Sequence, residues 1–77
     1  MTTAALTKAL SKHGEVTPGR PYTCTIGRAR ITFYDQNGRA HGLHVGRVGE
    51  VADSRSDYFP GSYFRTIKAA IAWAQTL

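Results

Sequence analysis

The stretch YTCTIGRARITFYD, residues 22 to 35, decides the fold because its apolar residues alternate on either side of a Gly-Arg pair. Tyr22, Cys24 and Ile26 alternate with Thr23 and Thr25, while Ala29, Ile31 and Phe33 alternate with Arg30, Thr32 and Tyr34. That period of two is the signature of half-buried strands. A two-residue turn at Gly27-Arg28, with glycine first as a type II′ turn requires, pairs Ile26 with Ala29, Cys24 with Ile31 and Tyr22 with Phe33. Every apolar residue then falls on one face, so turn chemistry and hydrophobic pattern agree.

The chain continues with QNGRAHGLHV, residues 36 to 45. Closing on Asn37-Gly38 alone would pair Phe33 with Gly42 and send Leu43 and Val45 to the face opposite Phe33. A three-residue loop, Gln36-Asn37-Gly38, pairs Asp35 with Arg39 and sets His41, Leu43 and Val45 opposite Phe33, Ile31 and Ala29. The longer loop keeps one apolar face across three strands and is the predicted closure. The other face then carries Thr23, Thr25, Arg30, Thr32, Tyr34, Ala40, Gly42 and His44, with Arg30 opposite Thr25 and His44, and with Arg28 and Arg39 at the loop tips.

Outward from this meander, residues 4 to 13 place Leu6, Ala9, Leu10 and His13 at helical steps, with Thr2 or Thr3 as cap and Gly14 as a left-handed stop. EVTPGRP, with Pro18 and Pro21, then breaks the chain. At the other end, SYFRTIKAAIAWAQTL reads as a helix capped by Ser62, with Phe64, Ile67, Ala70, Ile71 and Ala74 as its apolar stripe. Trp73 lies at the edge of that stripe, where it either finishes the core, as expected here, or stands in a self-association surface of a homodimer. One apolar sheet face flanked by two amphipathic helices predicts a single small α+β domain over residues 1–77. Its architecture is a three-stranded antiparallel meander with both helices on one face, in the order α-β-β-β-α.

Composition bounds the function. At 77 residues the chain hides only about 60% of its unfolded surface, and its single cysteine forms no internal disulfide. Three scattered histidines offer no zinc spacing, no run approaches a membrane span, and no signal pattern opens the chain, which predicts a soluble cytoplasmic protein without metal or other cofactor. Ten Lys and Arg against five Asp and Glu give +5, a field that favours acidic partners such as nucleic acid, nucleoprotein or an acidic protein face.

Catalysis is not expected. Asp53 and Asp57 flank Arg55 as ion-pair partners, Cys24 points into the core, and His41 and His44 fall on opposite faces in the predicted register. What stands out is SRSDYFPGSYF, where Tyr58, Phe59, Tyr63 and Phe64 crowd around Pro60-Gly61. Phe59 and Phe64 suit a staple of helix onto sheet, while Tyr58 and Tyr63 beside Arg55 and Arg65 suit an interface anchor, Tyr and Arg being enriched at binding hot spots.

The meander-plus-helices layout and the tail SRSDYFPGSYFRTIKAAIAWA, residues 54 to 74, resemble small accessory proteins of phages and mobile elements, including anti-CRISPR proteins. The resemblance implies a non-enzymatic inhibitor in a bacterial host cell that docks on a host protein or nucleoprotein complex, such as a Cas complex, and blocks nucleic-acid engagement. Many members of that class are acidic nucleic-acid mimics, and this basic chain departs from them. The alternative is a small basic nucleic-acid-binding protein contacting phosphates through its open sheet face. Across the two readings the candidate binding residues are Tyr58, Tyr63, Arg55, Arg65, Arg28, Arg30, Tyr34, Arg39 and His44.

Overall fold

The computed structural model describes residues 1–48 and 63–77. Its elements are α1 (Thr3–Ser11), β1 (Glu15–Thr17), β2 (Tyr22–Ile26), β3 (Ala29–Phe33), β4 (Leu43–Arg47), β5 (Tyr63–Phe64) and α2 (Ile67–Ala74). The strands form one antiparallel sheet in the order β1-β2-β3-β4-β5. The protein is therefore a small α+β fold, with five strands among the described residues where three were expected.

The central hairpin follows its sequence pattern. Tyr22 pairs with Phe33, Cys24 with Ile31 and Ile26 with Ala29. Gly27 takes the positive φ of 57° and Arg28 does not, as the type II′ turn requires.

The next turn corrects the predicted register. Asn37 and Gly38 both adopt positive φ, 53° and 82°, and Gln36 bridges Arg39, so the tight Asn-Gly turn forms after all. The strand on its far side absorbs one extra residue before β4 begins, which brings Ile31 opposite Val45 and Thr32 opposite His44. Parity is thereby restored and Leu43 and Val45 still reach the core. Arg30 accordingly lies opposite Gly46 rather than His44, and Ala40, expected on the open face, is buried. The irregular stretch is tied down by the chain's first residues: Ala40 donates its N–H to the Met1 carbonyl at 2.9 Å, and Thr3 donates to the Gly38 carbonyl at 2.8 Å.

Two strands lie where loop and helix were expected. β1 occupies the breaker segment, Glu15 to Thr17 pairing with Thr25 to Thr23, and Gly14 ahead of it is not left-handed. Its role is close approach, since a Cβ there would collide with the Thr25 carbonyl oxygen. β5 takes Tyr63 and Phe64 out of the predicted helix, and α2 begins after Thr66, whose hydroxyl accepts from the Ala69 N–H at 3.2 Å. Thr2 caps α1 in the same way, accepting from Ala5.

One apolar cluster holds the layers together. Leu6 and Leu10 of α1 and Ala70 and Ala74 of α2 join Cys24, Ala29, Ile31, Phe33, Leu43 and Val45, so both helices cover the same sheet face. Tyr22 and Phe33 stack with centroids 5.1 Å apart at one end of it. Trp73 departs from expectation: it is 44% exposed and meets Phe64, 6.3 Å between rings, while Ala70 and Ala74 are the buried residues of α2. Among the described residues no helix is long and apolar enough to cross a membrane.

Candidate binding face

The face opposite the helices is built from strand parity. Val16, Cys24, Ile31 and Val45 lie towards the core, so their neighbours point away. Thr17, Thr23, Thr32, His44 and Tyr63 stand side by side in one row that crosses all five strands. Beside it runs a second row, Glu15, Thr25, Arg30 and Gly46. Thr32, at the centre, is buried although no helix covers it, and its hydroxyl makes no hydrogen bond among the described residues.

The row ends in a cleft of about 160 Å³ lined by Tyr34, Gln36, His41, Gly42, His44 and Tyr63. Three local features place these side chains. The Asn37-Gly38 turn brings Gln36 and His41 to the same end of the sheet, β4 carries His44, and β5 lays Tyr63 next to it. The His44 and Tyr63 rings are 5.0 Å apart and tilted by 53°. The Tyr63 hydroxyl donates to the His41 carbonyl at 3.4 Å. Gly42 is needed beneath that ring, because a side chain there would occupy the volume of the tyrosine. Burial lowers the His44 pKa from its ordinary 6.5, which favours the neutral imidazole.

Several predicted site residues converge here and others do not. Tyr34, Tyr63 and His44 line one cleft, and Arg30 lies on the same sheet face. Arg28 is exposed at the β2–β3 turn, at the opposite end of the sheet from Arg39, which is exposed at the Asn37-Gly38 turn. Arg65 is exposed two residues beyond Tyr63. Tyr58 and Arg55 lie outside the described residues. Sequence reasoning missed Gln36 and His41, and it put His41 and His44 on opposite faces; the extra residue before β4 brings both to the cleft. The signal available for this was the Asn-Gly pair, whose tight turn fixes where Gln36 and His41 emerge.

Among the described residues no group of three or more His, Cys, Asp or Glu is placed to hold a metal ion. Cys24 is fully buried, its Sγ 3.8 Å from the Leu10 carbonyl, and burial pushes its thiol pKa up, so it is a poor nucleophile. No protein-family model, curated protein or solved structure matches this chain.

Proposed function

We propose that this chain is a small non-enzymatic binding module that grips single-stranded nucleic acid on its open sheet face. The observation that supports this reading is convergence. Tyr63, from the aromatic tail, lies in register beside His44 on the face that also carries Arg30 and Tyr34. Sheet-borne readers of unpaired strands need stacking rings together with positive charge along the backbone path. Tyr34 alone is too little ring surface; Tyr34 and Tyr63 with the His44 imidazole supply the rings, and Arg30 supplies positive charge on the same face.

The charge distribution supports the same reading. Three of the five carboxylates, Glu50, Asp53 and Asp57, belong to the stretch 49–62, whereas nine of the ten Lys and Arg belong to the described residues. Of the two carboxylates left there, Asp35 accepts a hydrogen bond from the Thr3 hydroxyl. The described residues thus carry nine Lys and Arg against two carboxylates.

The test is a titration of a labelled single-stranded 12-mer at low and at moderate salt. Affinity should fall steeply with salt, because phosphate contacts release counterions. Absence of binding at low salt overturns the reading.

A second reading is favoured by the 47% exposure of Tyr63, with exposed Arg65 close by in sequence. In it the same face docks on a host protein or nucleoprotein complex and blocks nucleic-acid engagement, as an anti-CRISPR type of inhibitor does. An aromatic-anchored protein interface loses much less affinity with added salt, so a salt-tolerant, nuclease-resistant protein partner selects this reading.

A further inference from the structure

The cleft at the end of the threonine row has a composition narrower than the face around it. Among the described residues its lining holds no Lys, Arg, Asp or Glu. Those residues offer a phosphate no Lys or Arg and an ammonium group no carboxylate. What they offer is two tyrosines, two histidines, the backbone at Gly42 and one primary amide. Its volume, about 160 Å³, is roughly half the ~300 Å³ at which pockets begin to hold drug-sized ligands. The occupant it suits is small, uncharged and planar, with polar edges.

We propose that this cleft seats one unstacked nucleobase of the bound strand, an inference that rests on the nucleic-acid reading above. The base stacks against Tyr63, whose ring is held by Gly42 beneath it and by the hydrogen bond to the His41 carbonyl. Gln36 supplies two donors and one acceptor for the edge of the base. Positive charge flanks the cleft without entering it: Arg39 is bridged to Gln36 across the turn, and Arg65 follows Tyr63 by two residues. Base and phosphate are therefore sorted, the ring into the cleft and the backbone onto the arginines. Burial favours the uncharged form of the His44 imidazole in that lining.

The experiment compares three labelled 12-mers by fluorescence anisotropy at low salt: oligodeoxyuridylate, oligouridylate and an abasic deoxyribose-phosphate strand of the same charge. Stacking one base is worth ~1–3 kcal/mol, so the full-length protein should bind the better base-bearing strand about tenfold tighter than the abasic one. The two base-bearing arms separate DNA from RNA, whose 2′-hydroxyl is the feature that distinguishes them. Tyr63→Leu should bring that ratio close to one while leaving salt-dependent binding of all three strands, and Tyr63→Phe should keep it. Should Tyr63→Leu fail to fold by circular dichroism, Gly42→Ala, which pushes the ring aside, carries the same expectation. Equal binding of abasic and base-bearing strands overturns the base seat and leaves phosphate binding standing. Binding of none of the three overturns both.

Discussion

The Tyr63 ring occupies the space that a side chain at position 42 would fill, so Gly42 and Tyr63 share one site on the open face. The atoms that meet that space are the outer end of the tyrosine, a side chain held there by its hydrogen bond to the His41 carbonyl and able to turn away when that bond is broken. Gly42→Ala should therefore displace the ring without disturbing the core. The expected outcome is an unfolding free energy, measured in urea, lowered by under ~1 kcal/mol together with loss of the preference for base-bearing strands. A variant as stable as the parent with that preference intact would show that the ring position is immaterial to binding.

Arg30 stands on the sheet face itself, and Arg28 projects from the β2–β3 turn. Charge reversal at either, Arg30→Glu above all, should weaken strand binding across all sequences. A removed phosphate contact lowers the slope of log affinity against log salt by about one. An unchanged slope would take that arginine off the path of the backbone.

Burial lowers the pKa of His44 below the 6.5 of an unperturbed histidine. Its sign is fixed by which state binds the proton more readily. As the pH falls through 6.5 the unfolded chain protonates His44 before the folded one does, so the contribution is present above 6.5 and is lost as the pH falls towards the folded value. Urea melts at pH 7.5 and 5.5 should show lower stability at the acid end, and His44→Gln should flatten the difference. Equal pH dependence in parent and variant would remove His44 as its source.

Leu10 is fully buried where α1 meets the sheet. Truncation to alanine leaves a cavity that typically costs ~2–5 kcal/mol. A domain of this size has roughly 4–11 kcal/mol of stability in total, so Leu10→Ala should be partly or wholly unfolded near body temperature. Trp73, the sole tryptophan, reports the transition. At the other helix, Thr66→Ala should cost about 1 kcal/mol through loss of the cap, and Thr66→Asp should retain it.

How much of this was legible beforehand divides along physical lines. The β2–β3 hairpin was readable to the residue because Gly27-Arg28 and the alternating apolar residues specify the same register. The next turn was misread because the hydrophobic pattern was used to reject the Asn-Gly turn; a shift of one residue before β4 satisfied both constraints, and local pattern cannot display a bulge. β1 and β5 are too short to show periodicity, and Phe64 sits at a spacing that suits the helix stripe as well as a strand. Tyr34, His44 and Tyr63 were each picked out from the sequence as binding residues, yet their meeting in one cleft depends on β5, the element hardest to see.

The burial of Cys24 makes the protein its own opening gauge. The lone thiol lies at 0% exposure, midway along β2 and against the Leu10 carbonyl of α1. A thiol-reactive dye reaches it only when helix and sheet separate, so the rate of dye uptake times that separation with no engineered label. Every surface variant discussed above retains Cys24, and a strand bound on the far side of the sheet leaves the dye's route unobstructed. Slower uptake on adding oligonucleotide would thus register stiffening passed through the sheet from the bound side.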